Sequence, residues 1–213
     1  MVAFGFRYLA GVIMPVGNSM SRIGFGLIGN VPVRAVIDLV RRAEEYQYDS
    51  FWMHETYFYR DALSYLSALA PATKKIRLAT GCINPYTRHP VLIAMAMSSL
   101  SEMSDGRMIL GIGTGFLSRL NQMGIRHANP VGFLEESISI IRRLLRGEDI
   151  TYEGRYYKIQ DLKPFFPKTE RVIPIYIAGW KTRMIKLAGK TADGYLARAL
   201  FVFGLALVYW WEW

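Results

Sequence analysis

Short apolar runs alternate along the chain with longer segments in which apolar residues recur every three or four positions. The apolar runs predict six buried strands, at residues 23–27, 50–53, 76–82, 108–112, 174–178 and 194–197. The periodic segments predict five amphipathic helices, at residues 33–45, 62–70, 90–104, 133–146 and 182–188. Near-continuous apolar strands separated by such helices are typical of a parallel sheet covered by helices, which predicts an α/β fold.

Two architectures satisfy this order of elements, an open doubly wound sheet and a (β/α) barrel. The even spacing of the first four strand–helix units slightly favours the barrel. Residues 150–172 interrupt the alternation, and their turn-forming residues predict a small hairpin around Glu153 and Gly154. At the start of the first helix, Asn30 is expected to be the capping residue, with Pro32 in the first turn.

Composition and charge exclude several classes of protein. The chain is 52% hydrophobic and 20% charged, which is typical of a globular domain. The net charge is +9, and the positive residues are spread along the chain and do not alternate with aromatic residues. An anionic cofactor is therefore expected as the binding partner rather than nucleic acid. Cys82 is the single cysteine, which excludes an intrachain disulfide and suits a reducing cytoplasm. One cysteine and three dispersed histidines also make a metal site unexpected.

The two ends of the chain differ from its body. Residues 1–21 contain a broken apolar stretch that is a poor signal peptide, and Met20 is a more natural start. Residues 199–213 carry one charge and three of the five tryptophans, and they are shorter than the ~20 apolar residues of a membrane helix. A tail of doubtful origin is expected here, with an interfacial anchor as the alternative. The main domain is therefore placed at residues 22–198.

Candidate chemistry follows the predicted strands, because sites in both architectures lie at the carboxyl ends of parallel strands. His54 and Glu55 follow the second strand, the segment 81–90 follows the third, glycines at 111, 113 and 115 follow the fourth, and Gly179-Trp180-Lys181 follows the fifth. The three glycines lack the spacing of a dinucleotide fingerprint. They indicate either a close approach of backbone to a flat ring or phosphate, or tight strand exits in a crowded barrel.

The remaining candidates have competing interpretations. Gly179 and Lys181 precede a helix, where they indicate an anion cradle or a solvated helix start. His54 stands beside a carboxylate, so a cofactor contact is favoured over a structural role. Cys82 at a strand end is expected to be a small buried residue rather than a nucleophile. No Ser–His–Asp order or paired-carboxylate motif supports a hydrolase.

Several of these segments together resemble a known family. They are Thr80-Gly-Cys-Ile-Asn-Pro-Tyr-Thr-Arg-His-Pro90, Gly106-Arg-Met-Ile-Leu-Gly-Ile-Gly-Thr-Gly115, Tyr152-Glu-Gly-Arg-Tyr-Tyr157, Pro174-Ile-Tyr-Ile-Ala-Gly179 and Ala192-Asp-Gly-Tyr195. In order and spacing they resemble the luciferase-like flavin- and deazaflavin-dependent oxidoreductases. Within that class, they are most similar to the branch of methylenetetrahydromethanopterin reductase. The resemblance covers residues 22–198.

The resemblance implies a (β/α)₈ TIM barrel that binds coenzyme F420, or alternatively FMN, at the carboxyl ends of its strands. It implies a cis peptide bond between Gly81 and Cys82, behind the cofactor ring. His54, Glu55, Asn84 and Thr114 would line the ring and its tail, whereas Gly179, Trp180 and Lys181 would lie near the phosphate. His54 and Glu55 are also the candidate catalytic residues.

The implied reaction is hydride transfer between reduced deazaflavin and a small organic electrophile, by a cytoplasmic homodimer. Two alternatives remain open: an FMN-dependent monooxygenase that uses molecular oxygen, and a truncated, non-catalytic remnant. Three departures from the family pattern matter. Ile28 and Phe116 stand where the reductase carries acidic residues, Trp180 replaces a glycine, and the barrel is expected to be truncated after about six βα units.

Overall fold

Six parallel strands form one curled sheet within the part of the chain that the computed structural model describes. That part comprises residues 23–197 and the backbone of 201–202, 205–206 and 209–212. Its strands are β1 (Gly24–Ile28), β2 (Ser50–His54), β3 (Arg77–Thr80), β4 (Met108–Ile112), β5 (Ile150–Glu153), β6 (Lys158–Leu162), β7 (Ile175–Gly179), β8 (Gly194–Ala197), β9 (Phe201–Val202), β10 (Leu205–Ala206) and β11 (Tyr209–Glu212). Its helices are α1 (Val33–Glu45), α2 (Ala62–Leu69), α3 (Pro90–Met103), α4 (Leu117–Gln122), α5 (Pro130–Leu145) and α6 (Thr182–Thr191).

The sheet follows the chain except where the hairpin intervenes. Its order is β1-β2-β3-β4-β7-β8-β11, and the pairs from β1 to β8 are all parallel. β5 and β6 pair antiparallel as a separate two-stranded sheet, which confirms the hairpin predicted around Glu153 and Gly154. Because parallel neighbours require crossover connections, the helices cover one side of the sheet.

The two faces of the sheet form two distinct cores. On the outer face, Phe51, Leu78 and Leu110 pack under the helices. The alternate residues point to the concave face, where a second cluster consists of Trp52, Ala79, Ile109, Tyr176 and Leu196. The rings of Trp52 on β2 and Tyr176 on β7 lie 5.7 Å apart, so side chains from distant strands meet inside the curl. A sheet that packs against itself in this way is the architecture of a (β/α) barrel.

The boundaries of α1, α2 and α3 agree with the predicted helices to within one residue, whereas α5 begins three residues before the predicted start at 133 and α6 ends three residues after the predicted end at 188. α1 buries Val36, Val40 and Ala43, which recur at a spacing of three to four residues. The prediction that Asn30 caps α1 is wrong, because Pro32 occupies the N-cap position and no side chain caps the helix. α4 was not predicted, since this short helix buries Leu120 alone and therefore has no apolar periodicity to detect.

The two ends of the chain are described only in part. The predicted extension at 1–21 lies outside the described residues. In the 199–213 tail, β9 pairs with β10, and the backbone of β11 pairs antiparallel with β8. Within the described residues, no helix is long and apolar enough to cross a bilayer.

Candidate active site at the carboxyl ends of the strands

His54 is the last residue of β2, and its imidazole packs between two glycines. A Cβ atom at Gly26 on β1 would lie 2.7 Å from His54 Nε2, and one at Gly81 would lie 3.7 Å from the same ring. Burial lowers the pKa of His54 to about 4. The imidazole is therefore neutral at physiological pH, and it contributes shape and hydrogen-bonding capacity rather than charge.

After β3 the chain passes through Gly81 and Cys82, here called the β3 bulge, and then pairs with β4 again at Ile83. A cis peptide bond links Gly81 and Cys82, as the family resemblance implied. Beyond it, the Ile83 amide donates to the carbonyl of Gly111 at 2.9 Å, and the Gly113 amide donates to the carbonyl of Ile83 at 2.9 Å. β3 itself runs over Arg77–Thr80 and is thus shorter than the predicted strand at 76–82.

All three glycines at the end of β4 and just after it are required: Gly115 has a positive φ, and a Cβ there would collide with Asn84 Nδ2, while Gly111 and Gly113 are required by close packing. A Cβ at Gly111 would collide with the carbonyl oxygen of Thr80, and one at Gly113 would lie 2.7 Å from Cys82 Sγ. Both contacts are too close for any side chain, so the tight-strand-exit interpretation accounts for these residues. A Cβ at Gly113 would also lie 3.2 Å from the Cβ of Ala178, so the β3 bulge lies beside the end of β7.

Asn84 connects the loops that follow β3 and β4. Its side chain is buried, its Oδ1 accepts from the Tyr86 amide at 2.9 Å, and its Nδ2 donates to the Thr114 carbonyl at 3.2 Å. Both groups of its amide thus bond to protein. The cofactor contacts expected for Asn84 and Thr114 stay predictions.

Cys82 is held as a thiol. Burial raises the pKa of Cys82 to about 12, and the nearby charge of Glu55 contributes in the same direction. A thiol that remains protonated is a poor nucleophile, which agrees with the expectation that Cys82 is not a nucleophile, although the residue is partly exposed rather than buried.

Two oxygen atoms in the loop after β2 are buried without a hydrogen-bond partner. They are Oε2 of Glu55 and the hydroxyl oxygen of Tyr57. The pKa of Glu55 is raised, first by burial and then by the charge of Asp61, with Arg88 opposing. The pKa of Tyr57 is raised mainly by burial. Sequence reasoning selected Glu55 but missed Tyr57, although Tyr57 follows β2 by only three residues.

Gly179 ends β7, and Trp180 and Lys181 lead into α6. The neighbouring Ala178 packs against Gly113 and so brings this segment next to the other candidate residues. The Gly179 carbonyl accepts from the Tyr195 hydroxyl at 2.7 Å. Trp180 is 64% exposed, and the Lys181 ammonium lies 5.3 Å from the centre of its ring. The first turn of α6 contains no acidic residue, so the positive charge of Lys181 is placed at the helix N-terminus without a local counter-charge in that turn.

A separate surface cleft lies between α5, the β5–β6 hairpin and the end of α6. It has a volume of about 730 Å³, and its walls include Glu136, Arg155 and Lys190. Glu136 accepts hydrogen bonds from the amides of Arg155, Tyr156 and Tyr157, so its carboxylate supports the hairpin. None of the residues predicted for the active site lines this cleft.

A curled parallel sheet with helices outside, and with polar groups gathered at the carboxyl ends of its strands, defines the (β/α)-barrel class of proteins. Comparison with known families specifies the class further. A family model described as luciferase-like monooxygenase matches residues 14–203. The chain belongs to this luciferase-like family.

Individual relatives include two curated enzymes and one solved structure. The 5,10-methylenetetrahydromethanopterin reductase of Methanolobus tindarius is 36% identical over 176 residues, covering 83% of this chain and 53% of the relative. An F420-dependent glucose-6-phosphate dehydrogenase of Microbacterium testaceum is 35% identical, covering 76% of this chain and 51% of the relative. The structure of the coenzyme F420-dependent tetrahydromethanopterin reductase of Methanopyrus kandleri superposes with a TM-score of 0.78 at 28% identity. The match covers 83% of this chain and 55% of the reductase chain. The chain thus spans about half the length of these relatives.

Proposed function

We propose that this protein is a cytoplasmic oxidoreductase that binds coenzyme F420 at the carboxyl ends of its strands. The reaction is hydride transfer between reduced deazaflavin and a small organic electrophile. The relatives support this proposal, because the names of the glucose-6-phosphate dehydrogenase and of the solved reductase both specify coenzyme F420. A homodimer is also proposed, as the family resemblance implies, and sedimentation of the purified protein tests it.

The observation that carries the proposal is a neutral surface of small residues where four strands end. It is formed by His54, Gly81, Cys82, Thr114 and Ala178, each of them partly exposed. His54 is uncharged and Cys82 stays protonated, because burial moves both pKa values away from neutrality. A flat, largely uncharged ring fits such a surface without leaving a buried charge unpaired.

Each group of residues has a distinct role in this proposal. The bulge at Gly81 and Cys82 supports one face of the ring, and neutral His54 lies at its edge. Gly179, Trp180 and Lys181 hold the phosphate, which the helix N-terminus and the ammonium both favour. The cofactor supplies the hydride when it is bound, and the protein orients the two reactants and excludes water.

Substrate identity is constrained by two apolar positions. Ile28 ends β1, and Phe116, which follows β4, is 66% exposed. Neither side chain offers a hydrogen bond to a polar substrate. We therefore propose a small electrophile with an apolar portion, rather than the substrates that the names of the relatives specify.

Cofactor binding by the full chain tests the proposal. Purified protein is titrated with coenzyme F420 and, in parallel, with FMN, and quenching of cofactor fluorescence gives each dissociation constant. We expect micromolar binding of F420 and weaker binding of FMN. The variant Lys181→Ala should weaken F420 binding about tenfold, a loss of about 1.4 kcal/mol. The matched control Lys163→Ala changes an exposed lysine next to the β5–β6 hairpin and should leave binding unchanged.

The outcomes of these titrations separate the alternatives. Tighter binding of FMN than of F420 would favour an FMN-dependent monooxygenase. Failure of both cofactors to bind, while circular dichroism shows a folded chain, would contradict the enzyme proposal and favour a non-catalytic remnant.

A further inference from the structure

Large apolar side chains are exposed at the end of the sheet where the strands have their carboxyl ends. Among the described residues, twelve large hydrophobic side chains are exposed, and five of them stand on the loops that follow β2, β4 and β7. These five are here called the apolar rim: Phe58, Tyr59, Phe116, Leu117 and Trp180, with exposed fractions of 51% to 66%. An exposed apolar set on one side of a protein marks a surface that meets a partner or a membrane.

Contacts between the three loops place the rim on one face. The guanidinium carbon of Arg119 on α4 lies 5.2 Å from the centre of the Phe58 ring, which joins the loop after β4 to the loop after β2. A Cβ at Gly113 would lie 3.2 Å from the Cβ of Ala178, so the loop after β4 also meets the end of β7. The five side chains therefore belong to a single surface of the protein.

Positive charges lie among the apolar side chains of this surface. Arg119 is stacked over the Phe58 ring, and the Lys181 ammonium lies 5.3 Å from the centre of the Trp180 ring. The segments 113–129 and 178–187 contain no Asp or Glu, and their positive residues are Arg119, Arg126, Lys181, Arg183 and Lys186. An aromatic ring paired with a cation presents an apolar group and a positive charge at the same place.

The carboxylates in the loop after β2 do not offset this charge at the surface. Asp61 lies 3.1 Å from the Arg88 guanidinium and accepts from the Ser64 amide at 2.7 Å, so it is engaged within the protein. The Oε2 atom of Glu55 is buried. The face therefore offers apolar side chains and positive charge together.

We propose that the apolar rim docks the protein on an anionic lipid surface. Phosphate headgroups complement the cations, and the boundary between headgroups and acyl chains accepts aromatic and leucine side chains. A protein partner would need a surface shaped to match side chains on three separate loops, whereas a lipid interface accepts protruding side chains without such a match. None of the rim residues lines the cleft beside α5, so the rim is not a wall of that cleft.

This docking surface goes beyond the proposed function and does not depend on it. Vesicle binding is measured without any cofactor, so failure of coenzyme F420 to bind would leave the inference unchanged. Lys181 is shared with the proposed phosphate site, and for that reason it is not substituted in the test.

Flotation of the full chain with lipid vesicles tests the proposal. One set of vesicles contains equal parts of phosphatidylcholine and phosphatidylglycerol, and the other contains phosphatidylcholine alone. We expect the native chain to bind the anionic vesicles at least about tenfold more tightly than the neutral ones, because several cations face the headgroups. Added salt should weaken this binding by screening those cations.

Two variants remove the apolar and the charged contribution separately. The double variant Phe58→Asn with Leu117→Ser should weaken binding to anionic vesicles at least about tenfold, since two apolar side chains no longer enter the interface. Asparagine is chosen because Phe58 has a φ of 71°, which asparagine tolerates. Arg119→Gln should weaken binding about fivefold by removing one cation.

The matched controls lie at the opposite end of the sheet. Tyr46 is 78% exposed and follows α1, and Arg42 is exposed in the last turn of that helix. Tyr46→Ser and Arg42→Gln should bind the anionic vesicles as the native chain does. Circular dichroism establishes that each variant is folded.

Quenching of tryptophan fluorescence by brominated lipids provides a second measurement that does not rely on weakened binding. Trp180→Phe keeps an aromatic ring in the rim, so it should bind the vesicles as the native chain does. It should nevertheless lose part of the quenching, because Trp180 enters the interface.

Four results would overturn the inference. The first is failure of the native chain to bind anionic vesicles, and the second is equal binding to neutral ones. The third is binding by the folded rim variants with the affinity of the native chain, which would assign the lipid contact to another part of the protein, such as residues 199–213. The fourth is unchanged quenching in Trp180→Phe.

Discussion

Replacing Arg107 with Met should strongly destabilise the fold, although no residue of the proposed active site is changed. The guanidinium is buried just before β4, and it donates four hydrogen bonds of 2.7–3.0 Å, to the carbonyls of Ala70, Thr73 and Ile76 and to the Thr73 hydroxyl. Methionine fills much of the same volume but donates nothing. The variant therefore leaves three carbonyls of the turn before β3 without their partner.

The magnitude follows from those unpaired groups. An unsatisfied buried carbonyl costs about 1–3 kcal/mol, and water entering at this partly exposed turn offsets part of the sum. We expect Arg107→Met to lower the free energy of unfolding by about 3 kcal/mol. With a urea dependence of about 2 kcal/mol per molar, the unfolding midpoint should fall by about 1.5 M.

Urea unfolding followed by tryptophan fluorescence measures this change. The matched control is Arg41→Met, because Arg41 also donates to this turn, at 3.0 Å to the Ala72 carbonyl, but from an exposed position. The control should lose less than about 1 kcal/mol. If the two variants unfold at midpoints within experimental error of each other, burial of the Arg107 network is not the source of its stability.

Three further predictions concern the site and its support. Gly113→Ala should destabilise the fold by about 1–3 kcal/mol through contact with Cys82 Sγ, and Cys82→Ala in the same chain should restore part of the loss in a double-mutant cycle. Alkylation of Cys82 at pH 8 should be roughly a thousandfold slower than after unfolding, because its pKa rises from 9.0 to about 12; equal rates in both states would contradict this burial. Burial raises the pKa of Glu44, but hydrogen bonds from the amides of residues 74–76 outweigh it, so the folded pKa lies below the ordinary 4.5. The contribution of Glu44 to the free energy of unfolding should thus be complete above pH 4.5 and should decline as the pH falls through the folded pKa. Unfolding measured against pH should show a flatter decline for Glu44→Gln but not for the control Glu102→Gln.

The order of elements could be predicted from the sequence because each strand is a bounded apolar run. β4 begins and ends at the predicted residues, Met108 and Ile112, and the parallel sheet follows from the helices between strands. The concave cluster around Trp52 and Tyr176 could not be predicted, since residues on one face of distant strands meet only after the sheet curls.

The site was predictable as a location but not as a set of interactions. The rule that chemistry follows strand ends selected His54, Glu55 and Gly179. It could not indicate that the Asn84 amide bonds to the Thr114 carbonyl, or that Tyr57 lacks a partner, because both depend on distances between loops. Asn30 is not the cap of α1, because the helix begins at Val33 and its N-cap position therefore falls on Pro32.

The pairing of β11 with β8 has a consequence for how this sheet can grow. Trp210 lies opposite Leu196 and Glu212 opposite Gly194, in antiparallel register along the whole of β8. In a (β/α)₈ barrel, the next neighbour of this strand is parallel, and it would require the same backbone amides and carbonyls. Because β11 already engages the backbone amides and carbonyls along this edge of β8, a parallel neighbour could pair there only by displacing β11.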